Sequence, residues 1–113
     1  MEIGLQLLSS SWGERERSDS DVYREELELA LRADELGFDS IGMVEHHFED
    51  YSFCPDNFVD LSHLAAKTKN AKLMTGAVIV PWNEPLRVAE KAALLDELSD
   101  GRLVLGLGRG LSR

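Results

Sequence analysis

The stretch FDSIGMVEHH, residues 38–47, decides the fold of this chain. Its first seven residues, 38–44, are mostly apolar and predict a buried strand, after which Glu45, His46 and His47 follow directly. In parallel α/β folds the carboxyl ends of the strands are where ligands bind. A histidine with an ordinary pKa of about 6.5 is the usual general base near neutral pH. His46 and His47 are therefore candidate bases, and Glu45 beside them could orient an imidazole; the alternative is a pair of histidines that only satisfy hydrogen bonds at a strand end.

The rest of the chain alternates strands and helices around this stretch. Strands are predicted at residues 3–8, 73–80 and 102–107, and a polar loop at residues 12–20. Helices are predicted from Ser20 or Asp21 to Gly37, at residues 56–69, and from Pro85 onward.

This alternation, at about 30 residues a unit, predicts an α/β fold with parallel strands. An open doubly wound sheet and a (β/α)8 barrel both fit. Four strands would be the N-terminal half of a barrel, so we expect residues 1–113 to be a partial domain that stops after its fourth strand.

Composition restricts the partners. The 113 residues carry a net charge of −9, which argues against nucleic acid or an anionic membrane as the main partner. No apolar stretch approaches the roughly 20 residues of a membrane span. The single cysteine, Cys54, fits a reducing, cytoplasmic setting.

Glycines and small residues mark two further candidate sites. Gly106, Gly108 and Gly110 follow the fourth predicted strand and would let a flat or phosphorylated ligand approach the backbone. Arg109 lies among them and could bind a phosphate, although a tight turn with a surface arginine explains the pattern equally well. The small residues of the pair Gly76-Ala77 leave room for a planar group, or simply pack against a bulky neighbour.

Other residues near the histidines are weaker candidates. His47, Phe48 and Trp82 are possible substrate-pocket residues, and Phe48 could form an apolar lid with Tyr51 and Phe53. Strand alternation predicts that only one of the two histidines faces the interior. No metal site is expected, because adjacent histidines rarely chelate one ion and no third ligand is evident.

Five segments together resemble the bacterial luciferase-like flavin monooxygenases: residues 45–48, 75–81, 85–90, 95–102 and 106–110. Their order and spacing both agree, and the resemblance covers nearly the whole chain. It implies the N-terminal part of a (β/α)8 barrel that uses reduced FMN and molecular oxygen on a small organic substrate.

The resemblance also implies roles for individual residues. It implies that His46 is an active-site base near the flavin and that Arg109 helps to hold the flavin phosphate. It implies a non-prolyl cis peptide at Gly76-Ala77 beneath the flavin ring. Gly108 stands where light-emitting members carry a cysteine, so aldehyde bioluminescence is not expected.

Other functions remain open at this point. A deazaflavin coenzyme in place of FMN would make the protein a hydride-transfer oxidoreductase that uses no oxygen. A shortened barrel that binds flavin without turnover, and an unfolded remnant with no function, are further alternatives. For a monooxygenase we expect a separate flavin reductase as partner, and either a homo-oligomer or association with a missing C-terminal half.

Overall fold

The computed structural model describes residues 1–12, 17–49 and 51–110. Strands and helices alternate along them in this order: β1 Gly4–Leu7, α1 Asp19–Leu36, β2 Ser40–Met43, α2 Asn57–Ala65, β3 Lys72–Thr75, β4 Val78–Ile79, α3 Pro85–Leu98, β5 Leu103–Val104 and β6 Leu107–Gly108. A 3-10 turn, Val80–Trp82, lies between β4 and α3.

The strands form a parallel sheet in the order β1-β2-β3-β5. Its register aligns Leu5 with Ile41, Ile41 with Leu73, and Leu73 with Leu103. Ile41 and Leu73 are fully buried in the core between the sheet and its helices. The predicted α/β fold with parallel strands is confirmed.

The two later strands are shorter than predicted. Residues 73–80 divide into β3 and β4, and residues 102–107 divide into β5 and the start of β6. Strand β4 pairs with β6 in a separate parallel ladder. At the division the Thr75 hydroxyl donates to the Gly106 carbonyl at 2.9 Å and accepts from the Gly106 N–H at 2.8 Å. These side-chain hydrogen bonds take the place of ladder bonds, which an apolar run does not reveal.

Helix α1 begins earlier than predicted. Its cap is Ser18, whose hydroxyl accepts the N–H of Asp21 at 3.2 Å, so the assignment of Ser20 or Asp21 as cap was wrong. Gly37 ends the helix in the left-handed conformation, as expected, with φ 82°. Within the predicted loop 12–20, residues 13–16 lie outside the described part of the chain.

Helix α2 ends at Ala65 rather than at residue 69. The guanidinium of Arg102 explains this early end, because it donates to the carbonyls of Ala65 at 3.1 Å and of Thr68 at 3.2 Å. The loop that follows is held by Asp34, which is buried and accepts the backbone N–H groups of residues 69–71 at 3.0, 2.9 and 2.7 Å. None of the described helices is long and apolar enough to cross a membrane.

Candidate functional site

A cleft of about 780 Å³ opens beside the carboxyl end of β2. It lies where a parallel sheet presents its loops, the usual place for a ligand in such folds. Small residues, aromatic rings and two carboxylates surround it; the lining is Val44, Glu45, His46, His47, Glu49, Tyr51, Gly76, Ala77, Ile79, Trp82, Gly108 and Gly110. The cleft thus joins three segments that the sequence marks separately.

Both histidines line this cleft, whereas strand alternation predicts that at most one of them faces the interior. Strand β2 ends at Met43, and the alternation of side chains does not extend to residues 46 and 47. The backbone N–H of His46 donates to the carbonyl of Cys54 at 2.8 Å, which fixes the chain here. Its ring meets Tyr51 edge-on at 5.5 Å, and its ring nitrogens have no hydrogen bond among the described residues.

The imidazole that Glu45 orients is that of His47. Glu45 Oε1 lies 2.8 Å from His47 Nε2, and the Glu45 side chain is buried. The His47 ring also stacks on Trp82, with centroids 4.8 Å apart and planes 9° from parallel. Two contacts therefore hold the plane of His47, whereas the side chain of His46 has one ring contact within the described part of the chain.

The floor of the cleft is built from small residues. A cis peptide bond joins Gly76 and Ala77, where the resemblance implied one. A Cβ at Gly108 would lie 3.3 Å from the Cβ of Ala77, so the two residues face each other closely across the floor. At Gly106 a Cβ would come within 2.2 Å of the Thr75 carbonyl oxygen, so only glycine allows the residue before β6 to approach the end of β3 this closely.

Other predicted site residues lie at the rim or elsewhere. Arg109 is exposed, and it is not among the described residues that line the cleft. Phe48 is 94% exposed and lies 6.1 Å from the ring of Trp82. Phe53 packs edge-on against Tyr23 at 5.3 Å, outside the described lining, so it does not join Phe48 and Tyr51 in a lid.

Sequence reasoning missed Asn83. Its amide donates to Glu45 Oε1 at 2.9 Å and to the carbonyl of Ile79 at 3.0 Å, which connects the turn after β4 with the end of β2. A polar residue in a predicted loop is the one feature of the sequence that bears on this contact. Within the described residues no group of three or more His, Cys, Asp or Glu side chains is arranged to hold a metal ion.

Cys54 lies behind the cleft rather than in it. Its thiol is fully buried and donates to Asp60 Oδ2 at 3.1 Å. Burial, together with this hydrogen bond, raises the pKa of Cys54, so the reactive thiolate is disfavoured. Cys54 therefore acts as a packed core residue.

The fold is a parallel α/β sheet, and the cleft at its carboxyl edge has histidines in its lining and glycines in its floor. This combination is typical of the ligand site of an enzyme with a barrel-like fold. The particular family follows from comparison with known proteins. The chain belongs to the luciferase-like monooxygenases, whose family model matches residues 1–113.

Two curated relatives illustrate the family. The chain is 37% identical over 95 residues to the oxygenase component of a flavin-dependent trigonelline monooxygenase from Acinetobacter baylyi, covering 84% of this chain and 26% of the relative. It is 33% identical over 94 residues to the alkanal monooxygenase alpha chain of Photorhabdus laumondii, covering 83% of this chain and 26% of the relative.

Solved structures agree in fold. The monooxygenase RslO1 from Streptomyces bottropensis superposes with a TM-score of 0.90 at 39% identity, over 98% of this chain and 34% of that one. The oxygenating constituent of 3,6-diketocamphane monooxygenase from Pseudomonas putida, in complex with FMN, superposes with a TM-score of 0.89 at 28% identity. The match covers 99% of this chain and 30% of that one. An F420-dependent secondary alcohol dehydrogenase shares the fold alone, with a TM-score of 0.77 at 23% identity, over 96% of this chain and 32% of that one.

These coverages show that the chain spans about a quarter to a third of the length of the proteins it matches. Its sheet is accordingly the N-terminal part of the (β/α)8 barrel of the family, in agreement with the fold predicted from the sequence.

Proposed function

We propose that this chain forms part of a flavin-dependent monooxygenase that uses reduced FMN and molecular oxygen on a small organic substrate. The observation that carries the proposal is the cleft itself, which combines two histidines with a floor of small residues at the carboxyl edge of a parallel sheet. Membership in the luciferase-like monooxygenases supports it. The FMN complex of a neighbour that is 28% identical supports the choice of FMN.

The described residues fit the ring system of a flavin. Gly76, Ala77 and Gly108 carry no atom beyond Cβ, so a flat ring can lie against the backbone of the floor. The volume of about 780 Å³ lies within the roughly 300–1,000 Å³ of small-molecule sites. Arg109, exposed beyond the floor, would contribute to holding the phosphate.

When bound, reduced FMN supplies the electrons and the reaction with oxygen, which no amino-acid side chain provides. The residues of the chain bind, orient and move protons. His46 lines the cleft, and no described residue forms a hydrogen bond with its ring nitrogens. It is therefore the group that accepts a proton there. General bases of this kind typically contribute about 10²–10⁴-fold to the rate.

The aromatic side of the cleft would receive the substrate. His47 and Trp82 stack as one wall, and Phe48 stands beside Trp82 at the rim. Such a wall offers apolar surface to an organic substrate and helps to keep water from the reaction centre. Gly108 leaves the floor without the cysteine of light-emitting members, which favours oxygenation of a small molecule over light emission.

The proposal includes two wider expectations. A separate flavin reductase would supply the reduced cofactor, as the words "oxygenase component" suggest for the relative from Acinetobacter baylyi. A cytoplasmic location is supported by the single cysteine, whose thiol is buried. The deazaflavin alternative stays a prediction, because the likeness to the F420-dependent dehydrogenase extends to the fold alone.

Oxygen uptake tests the proposal. Purified chain is mixed with chemically reduced FMN and candidate aldehydes, ketones and N-heteroaromatic acids, and substrate-dependent formation of oxygenated product is measured. The variant His46→Gln should lower this rate about 10²-fold or more. His63→Gln, the same change at an exposed position of α2, should leave it unchanged.

The outcomes separate the alternatives. Product formation that is insensitive to His46→Gln would overturn the role of His46. Hydride transfer from a reduced deazaflavin without oxygen uptake would replace the monooxygenase with the oxidoreductase, and no turnover with either coenzyme would overturn the proposed activity.

A further inference from the structure

The carboxylate of Glu45 occupies an unusual position for an acidic residue. It is only 5% exposed, at the end of β2, where a charge is costly unless it is compensated by hydrogen bonds. Three donors from separate segments surround it: His47 Nε2 and Asn83 Nδ2 reach Oε1 at 2.8 and 2.9 Å, and the backbone N–H of Ile79 reaches Oε2 at 2.9 Å. Glu45 therefore connects the histidine segment with β4 and the turn that follows.

These donors determine which nitrogen of His47 carries the proton. The amide of Asn83 and the backbone of Ile79 only donate here, and an ionised carboxylate only accepts. Nε2 of His47, at 2.8 Å from the same carboxylate, must then donate as well. In the neutral ring this leaves Nδ1 as the acceptor, and no described residue forms a hydrogen bond to it.

A second, independent contact fixes the same ring. His47 stacks on Trp82 with centroids at 4.8 Å and planes 9° apart, so rotation of the imidazole is restricted. The ring nitrogens of His46 have no such carboxylate among the described residues. The two neighbouring histidines thus differ: no carboxylate of the described residues holds the ring of His46, whereas His47 is held in one tautomer and one plane.

From this geometry we infer that Glu45 is the positioning residue of the cleft: it holds His47 as the Nε2–H tautomer, so that Nδ1 is presented as a hydrogen-bond acceptor to a substrate bound against Trp82. Such a substrate would carry a hydrogen-bond donor, for example a hydroxyl or N–H group, beside an apolar or aromatic body. The part that concerns substrate rests on the proposed function. The tautomer does not.

The tautomer is measured directly on the full chain with ¹⁵N-labelled histidine, from long-range ¹H–¹⁵N correlations above the pH at which the rings become neutral. Signals of His47 are identified by their loss in His47→Gln. Wild type should show His47 in the Nε2–H form alone. A wild-type His47 protonated on Nδ1 would overturn the inference, and this spectrum requires no change at Glu45.

Substitution supplies the second arm. Glu45→Leu removes every acceptor while keeping a similar volume, and His47 should then populate both tautomers. Glu28→Leu, the same change on the exposed face of α1, should leave the spectrum as in wild type. A folded Glu45→Leu chain with an unchanged His47 would refute the positioning role.

Kinetics separate this inference from the proposed function. If the chain turns over, Glu45→Leu should lower kcat about 10²-fold, because a misplaced group costs roughly that much. An unchanged kcat would overturn the catalytic part of the inference, whereas a wild-type chain without turnover but with the Nε2–H tautomer would refute only the proposed function.

Discussion

Replacing Gly106 with alanine tests how the floor of the cleft is built. The new Cβ would lie 2.2 Å from the Thr75 carbonyl oxygen, against 3.4 Å or more for ordinary contact, so the backbones must separate by about 1 Å. That movement breaks or stretches three hydrogen bonds of 2.8, 2.9 and 2.9 Å, two with the Thr75 hydroxyl and one from Val78.

The expected loss is set by these bonds. At about 1 kcal/mol each they amount to about 3 kcal/mol. The reduced entropy of the unfolded alanine chain returns about 1 kcal/mol at most. Gly106→Ala should therefore lower the free energy of unfolding by about 2 kcal/mol, measured as a shift of the urea midpoint at constant slope.

Gly108→Ala is the matched control. Its Cβ would meet the Cβ of Ala77 at 3.3 Å, which a shift of a few tenths of an ångström relieves. Its stability should stay within about 1 kcal/mol of wild type. A Gly106→Ala chain as stable as Gly108→Ala would refute the close approach of Gly106 to the end of β3 on which the floor depends.

Two further predictions concern buried groups away from the cleft. Asp34→Asn should lower the free energy of unfolding by about 2 kcal/mol near neutral pH, and Glu35→Gln on the exposed side of α1 by far less. Burial opposes the ionised form of Asp34, but the hydrogen bonds from residues 69–71 outweigh it and lower the pKa of Asp34 below 3.8. The stabilisation is therefore present above about pH 4 and is lost as the pH falls through the lowered pKa. Urea curves of wild type and Asp34→Asn that fail to converge in acid would contradict this. Because burial raises the pKa of Cys54, a thiol reagent at mildly alkaline pH should label it only as fast as the chain opens, and rapid labelling of the native chain would contradict its buried position.

Patterns local in sequence predicted most of the fold. Apolar runs located the four strands of the main sheet, and Gly37 and Pro85 marked the end of α1 and the start of α3. The carboxyl-edge rule then indicated the region of the histidines as the site. These features depend on neighbours in the chain, which a sequence displays directly.

What could not be predicted depends on side chains that bridge distant segments. Arg102 ends α2 from more than 30 residues away, and Thr75 interrupts two strands by bonding Gly106. The sequence does not show which of the two adjacent imidazoles forms a hydrogen bond with Glu45, and nothing in it indicates that Asn83 donates to the same carboxylate. Periodicity carries no information on such contacts, because they are fixed only when the elements pack.

The most direct test of the central claim is an anaerobic titration of the purified chain with reduced FMN, followed by the change in flavin absorbance and by calorimetry. We expect saturable binding at one site, weakened at least tenfold by Gly108→Leu, whose side chain would fill the floor beside Ala77. Glu28→Leu, on the exposed face of α1, should bind as wild type does. Binding that is indifferent to Gly108→Leu, or no binding to the wild-type chain, would contradict the claim that this cleft receives the flavin.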